Sequence, residues 1–121
     1  MNTRRLGAEK EAWAAHYIED HGGRIVEKNF RTRMGEIDLI AEDEGTICFV
    51  EVKYRKSTSK GHPSESVGIR KQFNICRVSD YYRMKRHLPE NIPYRFDVVS
   101  ITADEMIWYK NAFEYLSPRA R

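Results

Sequence analysis

The chain has 121 residues, which suits one domain and leaves little room for a second. Its composition, 40% hydrophobic and 32% charged, allows a buried core without a disulfide or a structural metal. No apolar stretch is long enough to span a bilayer, and no apolar run follows the N-terminal arginines, so we expect a cytoplasmic protein without a membrane partner. The net charge of +3 is too small to indicate a nucleic-acid partner by itself.

Hydrophobic periodicity and turn residues predict two helices and five strands. In chain order these are a helix over 6–21, strands over 24–29, 36–41 and 46–54, a helix over about 68–87, and strands over 94–101 and 106–113. Gly22-Gly23 ends the first helix, and Phe73, Cys76 and Tyr81 are among the apolar positions of the second. The order α-β-β-β-α-β-β predicts an α/β fold, a single mixed sheet flanked by helices.

Basic residues concentrate in or near the predicted loops. The stretch from Arg55 to Ser66 combines Ser, Thr, Lys, Gly and Pro without periodicity, which predicts a basic loop. Basic loops around an acidic centre suit a protein that handles a phosphodiester backbone. The candidate contacts to nucleic acid are Arg31, Arg33, Arg55, Lys56, Lys60 and Lys71.

Acidic residues on two neighbouring strands are expected to converge. Because side chains alternate along a strand, Glu36 and Asp38 share one face of theirs, and Glu51 and Lys53 share one face of the next. The turn Glu42-Asp43-Glu44-Gly45 joins these strands, and an even-numbered turn brings their charged faces together.

The predicted register pairs Ala41 with Thr46, at the two ends of a four-residue turn. It places Glu36 opposite Glu51, and Asp38 diagonal to Glu51. An odd-numbered turn would slip the register and separate the carboxylates.

Asp38, Glu51 and Lys53 match the needs of phosphodiester hydrolysis. Facing carboxylates repel each other and require compensation, which a divalent cation can supply. Mg²⁺ prefers one or two carboxylates completed by water and phosphate, and a nearby lysine can neutralise developing charge. The alternative to a metal site is an ordinary solvated strand face, where such charged residues are common. The apolar run Ile47 to Val50 favours the functional interpretation, because charges at the end of a buried strand are costly.

These residues resemble the PD-(D/E)xK nuclease superfamily, and more closely the bacterial YraN-type family, which is similar to archaeal Holliday-junction resolvases. The resemblance runs from about Leu6 to Ile101. It rests on Leu6-Gly7, Glu11 with Ala14 and Tyr17, Asn29-Phe30-Arg31, Gly35 to Ala41, Phe49 to Lys53 with Arg55, Gly61-x-Pro63, Lys71-Gln72, and Arg95 to Val99. It implies a restriction-endonuclease-like core in a single PD-(D/E)xK nuclease-like domain over residues 1–121.

The resemblance also implies roles for individual residues. Asp38 and Glu51 would bind Mg²⁺ or Mn²⁺, Lys53 would be the catalytic lysine, and Glu11 matches a first-helix glutamate that approaches the metal. An ordinary glutamate at the helix edge is an equal alternative for Glu11. The family usually has a glycine where this chain has Lys10, so either the helix begins later than predicted or Lys10 reaches the acidic site.

Three further polar residues have weaker assignments. Gln72 would contact a water or the substrate phosphate, with a surface or capping role as the alternative. Glu36 would orient a metal ligand or Lys53. Asp97 is expected to pair with an arginine rather than to act in catalysis.

The leading functional hypothesis is an endonuclease that hydrolyses DNA phosphodiester bonds with Mg²⁺ or Mn²⁺, at branched or damaged DNA. The alternatives are a non-catalytic nucleic-acid-binding module and an interaction subunit of a DNA-processing complex. A homodimer is an expectation by analogy, because a branched junction has two-fold symmetry.

Overall fold

A computed structural model describes residues 3–55 and 66–119, with side chains from residue 7 onward. The elements are α1 (Thr3–Asp20), β1 (Arg24–Thr32), β2 (Gly35–Asp43), β3 (Thr46–Tyr54), α2 (Ile69–Lys85), β4 (Tyr94–Ile101) and β5 (Met106–Phe113). The predicted order α-β-β-β-α-β-β is confirmed, and β3, β4 and β5 have the predicted bounds. Lys56, Lys60 and the Gly61-x-Pro63 motif lie outside the described residues.

The five strands form one mixed sheet in the order β1-β2-β3-β4-β5. The central strands β3 and β4 are parallel, and the other neighbouring pairs are antiparallel. A parallel pair needs a crossover connection, and α2 provides it here. This is the predicted α/β fold, and it is consistent with a restriction-endonuclease-like core.

The turn between β2 and β3 has two residues instead of the predicted four. Glu44 and Gly45 both have positive φ (51° and 85°), as in the type I′ turns that match the twist of a hairpin. Ala41 therefore pairs with Cys48 and not with Thr46, so the predicted register is wrong by two residues. Because side chains alternate with a period of two, an even error keeps facing residues of β2 and β3 on one face, as Ile40 and Phe49 show. The alternation in β2 breaks at Asp38, where Ile37 packs with Ile40 and not with Leu39, so the prediction that Glu36 lies on the same face as Ile40 is wrong.

Each face of the sheet carries one helix and one apolar cluster. Side chains of α2 pack with Ile40, Phe49 and Val98 on one face. Side chains of α1 pack with Val50 and Val99 on the other. The central strand β3 is thus covered on both sides, as its apolar run predicts, and charged groups on either face at its end have limited access to water.

The buried face of α2 differs from the prediction. Tyr82 is buried and meets the rings of Phe30 and Phe49 edge-on, with centroids 5.1 and 5.8 Å away. Tyr81 is exposed instead, and Phe73 is only half-buried. This rotation matters for function because it decides which residues at the start of α2 face the sheet.

A buried polar network surrounds Asp97, in the middle of β4. The Asp97 carboxylate is inaccessible to solvent and accepts hydrogen bonds from Arg95 Nε (3.0 Å), Trp108 Nε1 (2.9 Å) and the backbone N–H of Asn111 (2.8 Å). Arg95 also donates to Asp43 at 2.8 Å. Asp97 therefore pairs with an arginine, as predicted.

Cys48 and Cys76 are free and buried. Neither α1 nor α2, within the described residues, combines the length and the apolar character needed to cross a membrane.

Candidate functional site

Asp38 and Glu51 meet where β2 and β3 diverge. The last paired residues of these strands are Leu39 and Val50, and continuing that register by one residue brings Asp38 opposite Glu51. Beyond this point the backbone N–H of Val52 donates to Asp38 Oδ2 at 2.8 Å. The Asp38 side chain thus satisfies a backbone group of β3, which fixes the carboxylate beside that strand.

The Asp38 carboxyl holds its proton unusually tightly. Burial and the neighbouring Glu51 carboxylate raise the pKa of Asp38 to about 8, against the lowering effect of the Val52 N–H. A protonated Asp38 can donate a hydrogen bond to Glu51. Near neutral pH Asp38 therefore keeps its proton, as expected for an acid that is buried beside a second carboxyl group.

Glu51 is paired with a lysine from α2. Its side chain is 3% exposed, and Oε2 lies 2.8 Å from Lys71 Nζ. Burial lowers the pKa of Lys71, but hydrogen bonding and attraction to Glu51 outweigh burial, so the net pKa is raised. The other carboxylate oxygen, Glu51 Oε1, is buried without a hydrogen-bond partner among the described residues. One oxygen of a buried carboxylate is thus left for a further ligand.

Glu11 approaches the same site from α1. Burial raises its pKa, a hydrogen bond with the Asn29 side chain lowers it, and the Glu36 and Glu51 carboxylates raise it further. Asn29 itself has φ +53° in the middle of β1, a conformation that asparagine tolerates better than most residues. Glu11 is therefore partly buried and lies within electrostatic range of Glu51. The approach to a metal that the resemblance implies for Glu11 stays a prediction.

Lys10 follows neither predicted alternative. The first helix begins at Thr3, earlier than predicted, and Lys10 Nζ lies over the Tyr54 ring, 3.8 Å from its centroid. A cation–π contact stabilises an ammonium that would otherwise face apolar surface. This contact gives Lys10 a partner at the end of β3 that is not one of the acidic residues.

Lys53 lies on the same face as Glu51, two residues further along β3, and is half-buried. Its register partner in β4 is Ser100, which is 2% exposed. The Ser100 hydroxyl is buried without a hydrogen-bond partner among the described residues. Ser100 was not predicted as a site residue, because a serine in an otherwise apolar strand has no distinctive sequence signal.

Glu36 and Gln72 make contacts outside the Asp38–Glu51 pair. Glu36 Oε2 accepts a hydrogen bond from Arg31 Nε at 3.0 Å, across the β1–β2 ladder. Gln72 Nε2 donates to the Val67 carbonyl at 2.8 Å, which anchors the segment before α2. Gln72 does not cap α2, whose N-cap Gly68 has no side-chain hydrogen bond, and its predicted contact with water or phosphate stays a prediction. Arg31 rather than Lys53 lies beside Glu36.

The predicted nucleic-acid contacts fall in different places. Arg31 and Arg33 are exposed near the β1–β2 turn. Arg55 is half-buried directly after β3, with Nε inaccessible and without a hydrogen-bond partner among the described residues. Lys71 is in the acidic site itself. The spacing along α2 indicates that Lys71 faces the sheet, because positions 71, 75, 78 and 82 lie on one helical face and the last three are buried.

The site does not contain a ready-made cluster of three metal ligands. In residues 3–55 and 66–119, no group of three or more His, Cys, Asp and Glu side chains is arranged to hold a metal ion. The structure brings together two carboxylates, Asp38 and Glu51, with Glu11 further out and Lys71 bonded to one of them.

The residues present nevertheless fit Mg²⁺ or Mn²⁺. Glu51 Oε1 is a buried oxygen without a partner in the described part of the chain, and Asp38 is a buried carboxyl whose pKa is raised by burial and by the neighbouring Glu51 carboxylate. Hard oxygen donors of this kind suit these two cations, which take one or two carboxylates and fill the remaining positions with water and substrate.

Comparison with known proteins gives a family. The profile of the uncharacterised protein family UPF0102 matches residues 10–101. The chain belongs to the UPF0102 family. A UPF0102 protein of Lachnoclostridium phytofermentans is 44% identical over 114 residues, which are 94% of this chain and 97% of that protein. This chain is also similar to two further UPF0102 proteins. The one from Persephonella marina is 44% identical over 89% of this chain and 92% of that protein. The one from Coxiella burnetii is 40% identical over 93% of this chain and 94% of that protein. The matched range contains all the acidic residues discussed above, together with Lys53 and Lys71.

Proposed function

We propose that this protein is an endonuclease that hydrolyses DNA phosphodiester bonds with Mg²⁺ or Mn²⁺, at branched or damaged DNA. The observation that carries the proposal is the pair of buried carboxyls at the divergence of β2 and β3, with a lysine on the same face. Asp38 has a raised pKa, and Glu51 has an oxygen without a partner among the described residues. Such groups destabilise a protein, and functional sites are where such costs are found.

Asp38 and Glu51 would hold the cation, and Glu11 would approach it from α1. The bound cation would supply charge stabilisation at the phosphate and lower the pKa of an attacking water. Lys53 places an ammonium two residues beyond Glu51 on the same face, where it can neutralise charge that develops on the phosphate. Arg31 and Arg33, exposed at the β1–β2 turn, would bind the DNA backbone on either side.

One contact favours a second candidate, a nucleic-acid-binding module without catalysis. Lys71 already neutralises Glu51, so the acidic site has an internal cation. If Lys71 never leaves, the basic residues still bind phosphate while the carboxyls have only a structural role. This candidate predicts binding that weakens with salt and does not depend on Asp38.

The experiment is a cleavage assay on labelled four-way-junction, flap, nicked, duplex and single-stranded DNA, each with Mg²⁺, Mn²⁺ or EDTA. We expect cleavage that requires a divalent cation and is lost in Asp38→Asn. Asp20→Asn, a matched substitution at the exposed end of α1, should cleave like the wild type.

The two candidates give different results in this assay. Salt-sensitive binding without cleavage, equal in the wild type and Asp38→Asn, would favour the binding module. Cleavage that survives in Asp38→Asn would show that the activity belongs to another site or to a contaminant. The wild type and each variant are purified separately by the same protocol, so that a contaminating nuclease would give the same cleavage in all of them.

A further inference from the structure

The partner of Glu51 is a lysine from α2, not the lysine of its own strand. Glu51 is almost wholly buried, and its Oε2 is 2.8 Å from Lys71 Nζ. An ionised carboxylate in that position is expensive unless a positive charge compensates it. Lys71 supplies that charge.

Lys71 and a divalent cation have to compete for this carboxylate. A cation held by Asp38 and Glu51 would lie within a few ångströms of the Lys71 ammonium. Like charges at that distance repel strongly in a half-buried site, where the effective dielectric constant is well below that of water. Both cannot remain on Glu51 without a large cost.

Lys71 can leave without disturbing the core. Its side chain is 53% exposed, whereas Glu51 is 3% exposed. A groove of about 330 Å³ adjoins it, and the residues that line this groove are Gly35, Glu36, Arg70, Lys71, Asn74 and Ile75. A flexible lysine stem can turn its ammonium into this groove by rotamer changes alone, while the backbone of α2 stays in place.

We propose that Lys71 is an internal counter-ion that occupies Glu51 in place of a divalent cation and leaves it when the cation binds. The inference rests on the proposed function, because it concerns the same carboxylates. It adds a residue whose role is to stabilise the metal-free protein and to set the cation concentration at which the site fills.

The test measures cation affinity rather than cleavage. Mn²⁺ is titrated calorimetrically, in the absence of oxygen, into the full-length wild type, Lys71→Gln and Arg70→Gln. The titration is run above the pKa of Asp38, so that proton release does not differ among the proteins. Glutamine keeps a hydrogen-bond donor near Glu51 while removing the charge. Arg70→Gln removes one charge from the adjacent exposed residue in the same groove and is therefore the matched control.

We expect Lys71→Gln to bind Mn²⁺ about tenfold more tightly than the wild type, since a charge-assisted hydrogen bond no longer has to be broken. Arg70→Gln should stay within about twofold of the wild type. Unchanged or weaker binding in Lys71→Gln would overturn the inference, and so would an equal gain in Arg70→Gln. If the wild type binds Mn²⁺ and cleaves DNA but Lys71→Gln is unchanged, only this inference fails. If no protein binds Mn²⁺, the proposed function fails with it.

Discussion

The backbone N–H of Val52 donates a hydrogen bond to Asp38 Oδ2 at 2.8 Å. Asp38 is one residue and Val52 two residues beyond the last backbone pair of β2 and β3, so a side chain takes the place of a backbone hydrogen bond there. The backbone pairing of the two strands ends here, and this hydrogen bond still joins them. The hydrogen bond also holds the Asp38 carboxyl next to Glu51. Two adjacent negative charges would repel each other there, and Asp38 avoids this repulsion by keeping its proton.

Removing the Asp38 charge should stabilise the protein, and more so as the pH rises. Burial and Glu51 raise the pKa of Asp38 to about 8, so the folded protein binds this proton more tightly than the unfolded chain does. The stabilising effect of that proton is complete below the unfolded pKa and is lost as the pH rises through 8. Position 38 cannot ionise in Asp38→Asn. The free energy of unfolding of this variant should therefore rise relative to that of the wild type by up to about 1.4 kcal/mol per pH unit, between the unfolded pKa and about 8.

Urea unfolding of both proteins at several pH values between 4 and about 9 measures this difference. Asp20→Asn, in which an exposed aspartate is changed, should keep a constant difference from the wild type. A difference between Asp38→Asn and the wild type that does not change with pH would contradict the raised pKa.

Lys53→Met should strongly lower the rate of cleavage without abolishing cation binding. Lys53 shares a face with Glu51 but is assigned to the phosphate and not to the cation, so its loss should lower the rate about 10²–10⁴-fold. Calorimetric Mn²⁺ binding should be retained or become tighter. Lys28→Met, which removes an exposed lysine of β1, is the matched control and should leave the rate unchanged. Loss of Mn²⁺ binding in Lys53→Met would instead assign this lysine to the shape of the cation site.

Asp97→Asn should destabilise the fold without a specific effect on catalysis. Asp97 is fully buried and accepts hydrogen bonds from Arg95, Trp108 and the backbone of Asn111. An amide offers only one acceptor oxygen and leaves Arg95 with less compensating charge, so we expect a loss of about 2–4 kcal/mol in the free energy of unfolding. Cleavage per folded molecule, measured well below the melting temperature, should match the wild type. A rate loss at full folding would give Asp97 a role in the site.

The sequence was sufficient for the elements and for the acidic pair, but not for the details of their pairing. The bounds of β4 and β5 follow from apolar runs between clear turn residues. The register of β2 and β3 was wrong because Glu42 and Asp43, read as turn residues by their polarity, continue the strand. The face prediction held for Glu51 opposite Asp38 because the error was an even number of residues, but it failed for Glu36, because alternation in β2 breaks at Asp38.

The contacts made by α2 were the least predictable part of the site. Lys71 was assigned to nucleic acid from its charge, yet it bonds to Glu51, 20 positions away in the chain. Such a contact depends on the rotation of α2. Of the predicted apolar positions Cys76 is buried but Tyr81 is exposed, and Tyr82 is the buried ring. Burial of one aromatic residue rather than its neighbour turns a helix by about 100°, and periodicity in an apolar-poor helix does not decide between them.

The most direct measurement is anomalous X-ray diffraction from a crystal of the wild-type protein grown with Mn²⁺, because the account depends on Asp38 and Glu51 binding one divalent cation together. It predicts an anomalous peak within bonding distance of both carboxylates, with Lys71 Nζ displaced from Glu51 into the groove beside Arg70. A crystal with Mn²⁺ bound elsewhere, or with none bound while Lys71 remains on Glu51, would contradict it.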